Sequence, residues 1–146
     1  MTNNQSTSPT TNTSDFHYFP LWRLTGWLMV GAAFYFSLVP SPLEVLSFTF
    51  SDKLEHLFAY SVLMGWFGQL YVSKPRQVIS AVAFCLMGVA IEYAQDWGGE
   101  RFFDVADMAA NTLGVLLGWW LTRGWFAGFL LRLDRGISQI LVHELR

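Results

Sequence analysis

The run VISAVAFCLMGVAIEYAQ, Val78–Gln95, decides the fold. It holds no charged residue before Glu92. A helix of ~20 apolar residues, rising ~1.5 Å per residue, crosses the ~30 Å hydrocarbon core of a bilayer. Val78–Gln95 approaches that length only by including Glu92 and Gln95, which stand three apart and share one helix face. An ionisable group inside a membrane helix costs about 2.5–3.5 kcal/mol at the helix centre. A sequence that keeps one there points to a site.

Three further apolar segments flank this one: Leu21–Val39, Leu54–Val72 and Val105–Thr122. Pro40 and Pro42 close the first, since proline cannot continue a helix. The chain of 146 residues is 53% hydrophobic and 17% aromatic, and only 14% charged. Soluble domains average about 25% charged residues. The expected fold is therefore all-α: a polytopic four-helix transmembrane bundle over residues 19–123. A polar tail rich in Thr, Asn and Ser over residues 1–18 is expected to be disordered. It has neither the basic n-region nor an Ala-x-Ala-like cleavage site of a signal peptide, so the first apolar run reads as a retained helix.

Residues 124–146 follow a different pattern. Phe126, Phe129, Leu130, Leu133, Ile137, Ile140 and Leu141 recur at steps of three and four, opposite Arg132, Arg135, Gln139, His143 and Arg146. Such a basic amphipathic helix suits the cytoplasmic membrane interface. Arg23, Lys74, Arg76, Arg123, Arg132 and Arg135 fall at one end of the helices, against Lys53 and Arg101 at the other. The positive-inside rule then puts the protein in the cytoplasmic membrane with both termini cytoplasmic. The basic residues form no stripe, so no nucleic-acid partner is expected. The single cysteine, Cys85, has no partner for an internal disulfide.

The polar residues of the apolar segments fall at helical spacing. Asp52, His56 and Tyr60 are four apart, with Lys53 beside them; Asp104, Asp107 and Asn111 are three and four apart. Measured from the inner ends, Tyr60 and Asn111 lie at about 18 Å, and His56, Glu92 and Asp107 at about 22–24 Å. Asp52, Lys53, Gln95 and Asp104 lie at about 27–30 Å, with Arg101 just beyond. Three helices thus deliver polar groups to common levels, above a face of small residues (Ala81, Cys85 and Gly88; Gly114 and Gly118) that permits close packing. A polar cavity opening outwards above packed helices is the expected arrangement.

The ordered set Asp52-Lys53-x-x-His56-x-x-x-Tyr60, Glu92-x-x-Gln95 and Arg101-x-x-Asp104-x-x-Asp107-x-x-x-Asn111-x-x-Gly114 resembles the VanZ-like family of small bacterial membrane proteins. The resemblance covers residues 20–122. It implies a cell-envelope role linked to antibiotic resistance, namely tolerance of teicoplanin, a lipid-tailed glycopeptide that binds cell-wall precursors. It implies no particular reaction.

The residues leave several readings open. In the first, the cavity binds or remodels an envelope amphiphile or lipid-linked precursor. Lys53 and Arg101 take its anionic group, and Asp52, Tyr60, Gln95, Asp104 and Asn111 complete the binding set. Salt bridges from Lys53 and Arg101 to Asp52, Asp104 or Asp107 are the competing reading. In the second, the protein is a membrane hydrolase or transferase in which His56, Glu92 and Asp107 carry acid–base catalysis. A small transporter or a purely structural protein is the third. Tyr60 and Asn111 are expected to hydrogen-bond to each other across their helices. No metal or other cofactor is expected, because there is no His-x-x-x-His or cysteine pair and two cations would compete.

Overall fold

The structure, a computed structural model, describes residues 15–39, 51–98 and 104–144. Among these residues there are five helices and no strand: α1 (Phe19–Leu38), α2 (Ser51–Leu70), α3 (Lys74–Gly98), α4 (Val105–Arg123) and α5 (Phe129–Glu144). The fold class is all-α, as the hydrophobic periodicity requires. One described helix, Lys74–Gly98, is long and apolar enough by itself to cross a membrane. Polar side chains interrupt the others: Arg23 in α1, Asp52, Lys53, Glu55 and His56 in α2, and Asp107 and Asn111 in α4.

α2 is the hub. Its Tyr60, Leu63, Met64 and Phe67 form the core with Ala81 and Phe84 of α3 and Val115 of α4. It packs most extensively on α4. The reason is steric: a Cβ added at Gly114 would come within 2.5 Å of the Leu57 carbonyl oxygen, and one at Gly118 would lie closer still to that of Ser61. Backbone therefore meets backbone, the small-residue packing expected from the Gly-x-x-x-Gly spacing. That spacing serves the α2–α4 contact.

A second core lies at the opposite end from Asp52 and Asp104. Phe16, Trp22, Leu70, Leu130 and Leu131 pack together there, with Ile137 against them. Among the residues ahead of α1, Phe16 is already buried. The helix α5 is amphipathic, but its apolar arc is divided. Leu130 and Ile137 pack inwards, whereas Phe129, Leu133 and Ile140 stay exposed. The divider is Asp134, which is fully buried. Its carboxylate accepts from the backbone N–H groups of His17 (2.7 Å) and Tyr18 (3.0 Å) and from the Trp22 indole (2.7 Å). A carboxylate from the end of the chain thereby satisfies donors at the start of α1, where the helix dipole also favours negative charge.

The surface is inverted relative to a soluble domain. Leu24, Trp27 and Leu28 on α1, Phe58 on α2, Ile79 and Leu86 on α3 and Leu113, Leu116 and Trp120 on α4 are all exposed. His56, Glu92, Gln95, Asp107 and Asn111 are buried.

Candidate functional site

The hydrophilic stripes of α2, α3 and α4 converge at the end remote from α5. Lys53, at the start of α2, reaches across to α4. Its ammonium donates to Asp104 Oδ2 at 2.7 Å and to Asp107 Oδ1 at 2.8 Å. Asp104 is the N-cap of α4 and accepts from Ala106 N at 2.8 Å. The Lys53 ammonium and then this N–H hold the Asp104 carboxyl below the usual carboxylate range. Glu92 of α3 completes the junction, its Oε2 accepting from Asp104 N at 3.3 Å. Three helices are thereby tied at one level.

His56 lies one turn below Asp52 on α2, with Nε2 3.8 Å from Asp52 Oδ1. Asp107 approaches both from α4, and one donor atom from each of Asp52, His56 and Asp107 falls within 4.8 Å of the others. Glu92 interacts electrostatically with His56 and Asp107. It is 1% exposed, and its Oε1 has no hydrogen-bond partner among the described residues.

Several expectations are revised. Tyr60 and Asn111 are both buried but do not bond to each other: the Tyr60 hydroxyl and both side-chain polar atoms of Asn111 have no hydrogen-bond partner among the described residues. The packing explains this. Asn111 lies over Gly88 of α3, where its Nδ2 would be 2.8 Å from an added Cβ, so its amide faces α3. The Tyr60 Cβ sits against Gly114. Gln95 is drawn away from the cluster. Its Nε2 donates to the Ser37 carbonyl at 2.7 Å, satisfying one of the free carbonyls at the end of α1. Lys53 is engaged by two carboxylates, which favours the salt-bridge reading over the anion-binding one. Arg101 lies outside the described residues.

A cavity of about 420 Å³ opens between α1 and α2, where the expectation had been a cavity enclosed by α2, α3 and α4. Close packing at Gly114 and Gly118 leaves less room between α2 and α4. Met29, Ala33, Phe36, Phe58 and Leu63 give the cavity an apolar wall, and Asp52, Glu55 and His56 give it a polar end. Glu55 and the α1 contributors were not legible as site residues. They stand at no shared spacing with the polar stripes, and only the α1–α2 packing assembles them.

A model of the VanZ/LLP1 family matches residues 3–130. The chain belongs to this family. The match extends at both ends beyond the resemblance over residues 20–122 and stops early in α5. VanZ-family proteins are generally membrane-associated, and the apolar helix α3 agrees with that. No curated protein and no solved structure matches the chain. The family therefore supplies the class of protein, and the geometry has to supply the rest.

Proposed function

We propose that this VanZ-family protein is a multi-pass protein of the cytoplasmic membrane whose α1–α2 cavity holds an envelope amphiphile. The observation that carries the reading is the split character of that cavity: an apolar wall along both helices ending at Asp52, Glu55 and His56. Ligand cavities of ~300–1,000 Å³ combine apolar walls with a few convergent polar groups in this way. The carboxylates at the polar end accept hydrogen bonds from hydroxyl or ammonium groups of a headgroup, while an acyl or prenyl tail lies along Met29, Ala33 and Phe36. The belt of exposed Leu, Phe, Ile and Trp side chains on α1–α4 supports insertion of the whole bundle, since contiguous apolar surface on this scale marks a membrane contact. Both termini are then cytoplasmic, α5 rests on the inner interface and the cavity opens in the outer leaflet. Influence on teicoplanin tolerance follows if the amphiphile is a cell-wall precursor or the lipid-tailed drug itself.

The burial of His56 beside Asp52 and Asp107, with Glu92 in electrostatic contact, favours one alternative: an acid–base enzyme acting on the same class of amphiphile. One experiment addresses both. The full chain is extracted with its native lipid in polymer nanodiscs, as wild type and as Ala32→Trp, which fills the cavity from the exposed side of α1. An envelope amphiphile enriched in the wild type and depleted in Ala32→Trp supports binding. Identical lipid content in the two would remove the cavity from the account. Turnover of the enriched amphiphile, lost in His56→Gln and Glu92→Gln, selects the enzyme.

A further inference from the structure

We infer that the α4–α5 turn and the outer arc of α5 form a binding surface for anionic phospholipid, with Arg123 and Arg132 as its phosphate-binding groups. The inference rests on the reading of the bundle as membrane-inserted, and it adds the class of lipid and the residues that select it. The fold uses only part of the apolar side of α5 against the bundle. Leu130 packs with Leu70 at the end of α2, and Asp134 receives the donors at the start of α1, so α5 is fastened to the ends of two helices. Phe129, Leu133 and Ile140 fall on another stripe, roughly a quarter-turn round the helix, and all three are exposed. Arg132 and His143 flank that stripe on its far side, both exposed. Ahead of it, Trp125 and Phe126 stand exposed in the turn, where Gly128 takes a left-handed φ of 69° and redirects the chain from α4 into α5.

Two observations commit this surface to anionic lipid rather than to a protein partner. The first is continuity. Trp125, Phe126 and the α5 stripe extend the exposed apolar belt of the bundle through Trp120 in the last turn of α4. Tryptophan at such a boundary is the pattern of a membrane interface, and a helix with an uncovered apolar stripe beside cations lies in the plane of that interface. The second is the state of the cations. Arg123 and Arg132 bracket the turn, both are exposed, and neither is ion-paired among the described residues. The Arg123 guanidinium lies over the Trp119 ring, 4.5 Å from its centroid. Arg132 Nη2 donates to the Ala127 carbonyl at 2.8 Å and Nε to the Gly128 carbonyl at 3.3 Å, which fixes this guanidinium at the turn. A guanidinium has five N–H donors, so others remain to bind a phosphate. The described acids of α5 do not compete for them: Asp134 is buried against the start of α1, and Glu144 stands at the opposite end of the helix. Exposed Arg135 adds to the positive field that draws anionic headgroups.

The test is lipid selectivity of the full chain in phosphatidylcholine nanodiscs that carry a trace of spin-labelled phosphatidylglycerol or, in a parallel sample, spin-labelled phosphatidylcholine. The protein should immobilise the phosphatidylglycerol label about threefold or more in preference, and the preference should shrink as salt is raised. It should fall close to one in Arg123→Gln/Arg132→Gln. Lys74→Gln/Arg76→Gln, which removes two cations from the α2–α3 connection, should lower it far less. In case these variants unsettle the fold, spin labels placed singly by Ile140→Cys and Gln139→Cys, with Cys85→Ala and all arginines kept, read how α5 lies. The label at 140 should meet dissolved oxygen and be shielded from a water-soluble nickel chelate, and the label at 139 should show the reverse. Equal immobilisation of the two lipids, equal loss in the two double variants, or labels at 139 and 140 both shielded as under a protein partner would overturn the surface. A chain that stayed out of nanodiscs of every composition would remove the membrane reading along with it, whereas an inserted chain without lipid preference would remove this inference alone.

Discussion

Replacing Asp134 by alanine should unfasten the two ends of the chain. The carboxylate is fully buried and accepts three N–H donors, and His17 Nδ1 lies 3.2 Å away. The Trp22 bond is buried on both sides, and a hydrogen bond to a charged group is worth about 1.5–3 kcal/mol. The His17 and Tyr18 donors are only part-buried, so water can replace the lost acceptor and each contributes about 1 kcal/mol. The sum for Asp134→Ala is about 3–5 kcal/mol, or roughly 10 °C in melting temperature for a chain of this size. Asp134→Asn keeps one acceptor oxygen and should lose about half as much. Thermal unfolding in detergent, followed by tryptophan fluorescence, reads this directly because Trp22 is the reporting ring. Burial by itself pushes the Asp134 carboxyl up, but the His17 and Tyr18 N–H groups and the Trp22 indole outweigh it and hold it below the usual carboxylate range. A depressed folded-state pKa gives stability that is fully present above the unfolded value, ~3.9, and is lost as the pH falls through the folded one. The gap between wild type and Asp134→Asn should therefore be constant from about pH 8 to pH 5 and narrow below about pH 4. An alanine variant melting within about 2 °C of wild type, or a gap independent of pH down to 3, would refute the reasoning.

Other perturbations separate packing from chemistry. Gly118→Leu should abolish the folded monomer in size-exclusion chromatography, because even a Cβ there collides with the Ser61 carbonyl of α2. Lys53→Gln leaves the buried Asp107 without its cation. Breaking a buried pair costs ~3–5 kcal/mol, reduced here to about 1–3 because Lys53 is a third exposed, and chemical denaturation measures it. In the same variant the Asp104 carboxyl should titrate closer to the ordinary carboxylate value, an upward move visible in a carboxyl ¹³C NMR titration. Gln95→Leu removes the cap on the Ser37 carbonyl and should cost about 0.5–1.5 kcal/mol, with faster hydrogen exchange at the end of α1.

Helical periodicity and residue chemistry were enough to place the elements and the polar level of this protein. Val78–Gln95 lies within α3, and Asp52, His56 and Asp107 meet because steps of three and four return to one helix face. The family was legible for the same reason: the resemblance was carried by an ordered set of such steps, and the family model matches residues 3–130. Sequence could not say which face meets which. Gly114 and Gly118 bring α4 onto α2, and that choice turns Asn111 towards Gly88 and places the cavity between α1 and α2. Nor could local spacing reveal Asp134, whose carboxylate receives donors more than a hundred residues away in the chain. Periodicity is set by the backbone's own 3.6-residue turn and is written locally. Pairings between helices depend on which side chains are small enough for backbones to touch, and they exist only once the chain has folded.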